Sequence, residues 1–125
     1  MELRHTLYDI IERPASSPEE GAPVVYSIQL HPDSDIYQSH FPGRPITPGA
    51  CIIQLVQELA QDHFHAPALQ IRQITNLKFL ALLEPQHHPC IDVHLQGNPA
   101  QLQATLTDGP LVFARLTLQT LLNPS

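Results

Sequence analysis

The chain has 125 residues, of which 42% are hydrophobic and 14% charged, and it carries a net charge of −6. That length holds one core and one domain (1–125), the composition excludes a disordered chain, and no apolar run is long enough to cross a bilayer. Six Lys and Arg against twelve Asp and Glu argue against a nucleic-acid partner, because phosphate binding needs cations.

Met1-Glu2-Leu3-Arg4-His5 has no apolar signal core, so a bacterial-type cytoplasmic location is expected. Cys51 and Cys90 both sit in apolar stretches and are expected to be buried free thiols, with no need for a disulfide.

Leu3 to Glu12 reads as a first strand, followed by a breaker-rich loop from Pro14 to Gly21. Val24 to Leu30 alternates as a second strand. Pro32 to Pro48 holds four prolines and is expected to be irregular. One helix then stands out. Thr47 is its expected cap and Pro48 its first residue, with Ile52, Leu55, Val56, Leu59 and Ala60 at helical spacing. Ile53 widens the apolar stripe, Gln54, Gln57, Glu58 and Gln61 form a polar face, and the helix should end near His63.

Four strands are expected after Ala68. Leu69 to Leu83 is long and is broken by Glu84 to Pro89. Ile91, Val93 and Leu95 alternate with polar residues, and Gly97-Asn98-Pro99 turns the chain. Leu102, Ala104 and Leu106 alternate in the next strand, Asp108-Gly109 signals a short hairpin, and Leu111 to Leu121 returns. The fold class is therefore α+β: one buried helix and about six mostly antiparallel strands.

The stretch from His40 to Gln54 carries the chemistry. Three prolines and two glycines between His40 and Gly49 fix a stiff path into the helix N-terminus. Gly49 falls in the first turn, where an N–H has no helical partner, and its missing side chain lets a carbonyl come close to the backbone. That amide suits a thioester oxygen. His40, heading the loop, suits a general base because its ordinary pKa lies near neutrality. On local physics alone the blander alternative, a turn histidine in a proline-shaped loop, stays open.

The run His40-Phe41-Pro42-Gly43-Arg44-Pro45-Ile46-Thr47-Pro48-Gly49 closely resembles the HFPGxPxxPG signature of the bacterial 3-hydroxyacyl-acyl carrier protein dehydratases, which opens their central hotdog helix. Leu30 to Ser39 resembles that family's lead-in. Ile74 to Phe79 with Leu83-Glu84-Pro85 resembles its next strand and bend, so the likeness runs from about Val24 to Leu95. It implies a hotdog domain, a helix wrapped by a sheet, pairing edge to edge with a second subunit. It also implies a 3-hydroxyacyl chain on acyl carrier protein as substrate, in fatty-acid or polyene-type synthesis. Small one-domain relatives occur in aryl polyene and flexirubin-like pathways.

Carried onto this sequence, the resemblance makes His40 the catalytic histidine and the Gly49 N–H the donor to the thioester carbonyl. The site would lie at the dimer boundary, His40 of one chain facing position 54 of the other. Phe41, Ile53 and Phe79 would line an acyl tunnel, with Pro48 and Glu58 in the same substrate-binding set. The family's second catalytic residue is a Glu or Asp fourteen positions after the histidine, and here it is Gln54. An amide cannot protonate a leaving hydroxide. His40 could shuttle the proton, or Glu58 could serve from roughly 6 Å deeper along the helix axis, though a plain surface charge is the simpler expectation for Glu58. Alternatively the chain is a non-catalytic carrier-binding or heterodimer subunit, or a hotdog thioesterase. For an acidic carrier, Arg44, Arg72 and Lys78 are the candidate basic patch. No cofactor motif occurs, and His63, His65, His87 and His88 lack the ligand spacing of a metal site.

Overall fold

The structure is a computed structural model that describes residues 2–15, 20–40 and 43–121. In chain order it contains β1 (Tyr8–Glu12), β2 (Val24–Leu30), α1 (Asp35–His40), α2 (Gly49–His63), β3 (Gln70–Phe79), β4 (Cys90–Asn98), β5 (Gln101–Asp108) and β6 (Leu111–Leu121). The strands form one six-stranded sheet in the order β1-β2-β4-β5-β6-β3, antiparallel at every pairing.

Alternation along the strands gives the sheet one apolar face. Tyr26 and Ile28 of β2, Val93 of β4, Leu102 and Leu106 of β5, and Leu116 and Leu118 of β6 are all buried. Against them α2 buries Cys51, Ile52, Leu55, Val56, Leu59 and Ala60 in one continuous core. Each large aliphatic side chain so buried contributes about 1.5–3 kcal/mol. A sheet that covers one long helix on its apolar side is the expected α+β arrangement.

Three local expectations need correction. The first strand begins at Tyr8 rather than Leu3. Leu3 to Leu7 instead folds into a tight turn, with the Leu7 N–H donating to the Leu3 carbonyl at 2.7 Å and His5 at φ +71°. The bend buries Leu3, Leu7 and Tyr8 completely, whereas an extended strand would turn the neighbours Leu7 and Tyr8 to opposite faces. Second, the stretch expected to be irregular contains α1. No proline lies between Pro32 and Pro42, the Ser34 hydroxyl accepts the Ile36 N–H at 3.3 Å, and Asp35 favours the first turn. Third, Thr47 does not cap α2. Its hydroxyl pairs with the buried Tyr37 hydroxyl at 2.8 Å and its N–H donates to the Leu83 carbonyl. Pro48 takes the cap position in extended geometry with no side-chain bond, so Gly49 is the first helical residue.

The hairpin at Asp108-Gly109 forms as expected, with Asp108 opposite Leu111 and Gly109 at φ +58°. At the previous turn Asn98 pairs with Gln101, and the Asn98 side-chain oxygen accepts the N–H groups of Ala100 and Gln101. Gly97 therefore lies inside β4, at a φ of +113° where a Cβ would run into the Gln101 carbonyl. Of the cysteines, Cys51 is buried as expected and Cys90 is exposed; both are free. No helix among the described residues is long and apolar enough to cross a membrane.

The two sheet edges differ. β1 is five residues long and its register with β2 shifts between Ile10 and Glu12. β3 is ten residues long, with no residue of it fully buried. Leu77, Phe79, Leu80 and Leu82, along and just beyond β3, are 38 to 57% exposed.

Candidate active site

At the start of α2, the Gly49 amide has no backbone acceptor among the described residues. The Phe79 ring packs against the Gly49 Cα, on the side where a side chain would project. A Cβ built on Gly49 would sit 2.7 Å from the tip of that ring, so only glycine permits this approach without the ring moving aside. β3 brings Phe79 here, and the ring is half exposed together with Leu80 and Leu82. Pro48, Gly49, Ile53 and Gln54 are all part-buried on the first turns of α2. The expected base, His40, is the last residue of α1; its side chain lies outside the described residues, as do Phe41 and Pro42. What the structure joins is therefore Gly49 and Phe79, with Pro48 beside them.

Glu58 corrects the sequence reading most sharply. It is not a surface charge but 6% exposed. Its Oε2 accepts the Leu3 N–H at 2.7 Å and the Gln54 side-chain N–H at 2.9 Å. Its Oε1 accepts the Arg4 N–H and the Tyr8 hydroxyl, both at 2.9 Å. Four donors on two oxygens engage both of them and tie α2 to the amino-terminal turn. Burial first, then the charge and hydrogen bond of Glu58, push the Tyr8 phenol well above its ordinary pKa. A signal for this was present: Glu58 lies seven residues after Cys51 and three after Leu55, inside the apolar arc of the helix. The rest of the polar face is also engaged. Gln57 accepts the Ile71 N–H at 2.8 Å, and Gln61 donates to the Leu69 carbonyl at 2.7 Å.

One turn beyond Glu58, Asp62 gathers Arg13 at 3.0 Å, the Tyr26 hydroxyl at 2.7 Å and Arg4 at 3.4 Å. Burial alone would raise the Asp62 pKa, but the hydrogen bonds from Arg13 and Tyr26, with the charges of Arg13 and Arg4, hold it below the ordinary carboxylate value. His63 is pushed down by burial, helped by His65. A cleft of about 680 Å³ opens at this end, lined by Arg13, Tyr26, Asp62, His63 and His65. It lies at the opposite end of α2 from Gly49, and Arg13, Tyr26 and Asp62 in its wall are already bonded to one another, so it is not the site for the expected chemistry.

Of the expected basic patch, Arg44 is neutralised by Glu84 at 2.6 Å. Lys78 stands opposite Arg115 across β3 and β6, and neither forms an ion pair among the described residues. Sequence reading missed Arg115 because register alone brings it to Lys78.

The family model of the ApeI-like dehydratases, described as ApeI dehydratase, matches residues 16–112. The chain belongs to this ApeI-like dehydratase family. The ApeI:P dehydratase heterocomplex from Xenorhabdus doucetiae contains a chain of similar structure, with TM-score 0.70 and 20% identity over 89% of this chain and 95% of that one. An uncharacterised protein of Erwinia carotovora subsp. atroseptica is equally similar, with TM-score 0.70 and 19% identity over 92% of this chain and 96% of that one. A crystallisation variant of the GphF dehydratase matches with TM-score 0.52 and 12% identity, over 93% of this chain and 45% of that one. No curated protein matches the sequence. At these identities the likenesses establish the hotdog fold.

Proposed function

We propose that this ApeI-like chain removes water from a 3-hydroxyacyl thioester borne by an acyl carrier protein, leaving a trans-2-enoyl thioester. The observation that carries this reading is the Gly49 amide at the head of α2, without a backbone acceptor among the described residues and with the half-exposed Phe79 ring against its Cα. A thioester oxygen placed there meets a preorganised donor and the positive end of the helix dipole. Polarising the carbonyl makes the C2 proton acidic, and His40 takes it. The C3–O bond then breaks, and the departing hydroxide receives the same proton back from His40 as water. The shuttle is needed because Gln54 has no acidic proton to give.

In this reading the β3 edge pairs with that of a second subunit, another copy or a homologue. Such pairing would cover Leu77, Phe79, Leu80 and Leu82, an exposed apolar strip unfavourable in a free monomer. It would also enclose the tunnel that Ile53, Pro48 and Phe79 begin. Lys78 and Arg115 then offer the acidic carrier a local positive charge on a chain that is otherwise negative.

The test is to incubate purified protein with a 3-hydroxyacyl carrier thioester and follow enoyl absorbance. His40→Ala should lower turnover about 10²–10⁴-fold; turnover unchanged in that variant would remove the assignment. Release of free thiol would indicate a thioesterase. Gln54 favours a second reading, a non-catalytic subunit that binds the carrier beside an active homologue. That chain would be inactive alone and would raise the homologue's turnover on mixing.

A further inference from the structure

Gln54 has been treated so far as a missing acid, but its surroundings give it a task. We infer that Glu58 is a positioning residue that turns the Gln54 amide so that its carbonyl oxygen accepts the 3-hydroxyl of the acyl chain. The site would thereby select 3-hydroxyacyl thioesters over saturated ones. This rests on the acyl-thioester reading above and adds the substrate feature that position 54 recognises.

The Leu3 and Arg4 amides and the Tyr8 hydroxyl are donors facing Glu58, so its oxygens act as acceptors toward the chain around them. The Gln54 amide must therefore present its nitrogen to Glu58 Oε2, where it stands at 2.9 Å. The flipped amide would set its carbonyl oxygen against a carboxylate oxygen, acceptor against acceptor. With the nitrogen fixed, the carbonyl points away from Glu58, and no donor meets it among the described residues. An acceptor in a part-buried site is satisfied by a hydroxyl and left unpaired by a saturated chain.

The same geometry accounts for an amide at position 54. A carboxylate there would lie one turn from a buried carboxylate already committed to the amino-terminal turn. Two such groups at hydrogen-bond distance cannot both stay ionised, and one would take up a proton. The neutral amide keeps the hydroxyl acceptor and donates to Glu58 instead of opposing it.

The probes are pantetheine amides of one chain length, one 3-hydroxyacyl and one saturated; an amide in place of the thioester prevents both hydrolysis and dehydration. Calorimetry on the native chain should show the hydroxylated probe binding about three- to tenfold more tightly, the range of one neutral hydrogen bond. Gln54→Leu should abolish that preference. Glu58→Gln should abolish it too, since its own amide can donate to the Gln54 carbonyl. If Glu58→Gln does not fold, Gln54→Asn decides: it retains a carbonyl but is too short to reach Glu58, and all three other donors to Glu58 remain. Loss of preference in Gln54→Asn supports positioning by Glu58, and retention overturns it. Equal binding of both probes by the native chain overturns the inference and leaves the acyl-thioester reading intact. Binding of neither probe overturns that reading as well.

Discussion

The two ends of α2 are built on opposite plans. At the far end Glu58 and Asp62 are surrounded by donors from the amino-terminal turn, β1, β2 and Arg13, and their carboxylate oxygens are engaged within the chain. At the near end the Gly49 amide has no internal partner among the described residues, and the apolar side chains beside it face outward. A polar group that the chain satisfies itself holds the fold, whereas one left open beside exposed apolar surface is available to a ligand. The sheet edges also differ, since β1 is only five residues long while β3 is ten residues long and leads through exposed Leu77 and Phe79 into exposed Leu80 and Leu82.

Substitutions at the two ends should therefore fail in different ways. The largest effect is expected from Glu58→Ala, which leaves the Leu3 and Arg4 amides and the Tyr8 hydroxyl without an acceptor. At about 1–3 kcal/mol for each orphaned buried donor, unfolding in urea should show a loss of roughly 3 kcal/mol or more. A loss under about 1 kcal/mol would erase the distinction between the ends. At the near end, Gly49→Ala should leave stability unchanged or raised by up to ~1 kcal/mol, because alanine favours helix and the Phe79 ring can swing aside. Turnover should nonetheless fall by about tenfold or more, because a methyl group then blocks a donor of the oxyanion-hole type. A variant that unfolds while its residual native fraction works normally would reverse this expectation.

Smaller changes sharpen the same contrast. Leu80→Lys with Leu82→Lys should alter monomer stability by no more than about 0.5 kcal/mol, since both residues are exposed. The pair should shift sedimentation toward the monomer, and unchanged sedimentation would remove β3 as the joining edge. Acid should weaken the far end first. His63 has a folded pKa below its ordinary 6.5, so its contribution is complete above that pH and is lost as pH falls through the lowered value. Asp62, also lowered, contributes fully above about its ordinary 3.8 and loses that contribution at still lower pH. Urea midpoints measured from pH 7 to 3 should fall in both windows. Asp62→Asn should flatten the lower one and, because the Asp62 charge partly offsets the lowering of His63, deepen the upper one.

How much of this was legible in advance depends on range. The helix at Gly49–His63 and the hairpin at Gly109 were readable because spacing and turn chemistry are local. α1 was missed because four prolines between Pro32 and Pro48 outweighed the proline-free stretch between the first two. Thr47 looked like a cap because threonine at that place usually is one, until Tyr37 supplied a buried partner ten residues away. At the site, Gly49 and Phe79 were each named from sequence, but nothing in residues thirty apart announces that the ring packs against the glycine Cα. Glu58 was misjudged because its acceptors are filled by residues fifty or more positions earlier.

By itself the sequence determined the α+β class, the long helix and the stiff run from His40 into Gly49, since periodicity and proline–glycine geometry act over a few neighbours. Only the tertiary structure decided which polar groups on that helix are engaged and which remain open. Donors brought in by the amino-terminal turn and the first strands do that, and hydrogen bonding depends on proximity in space.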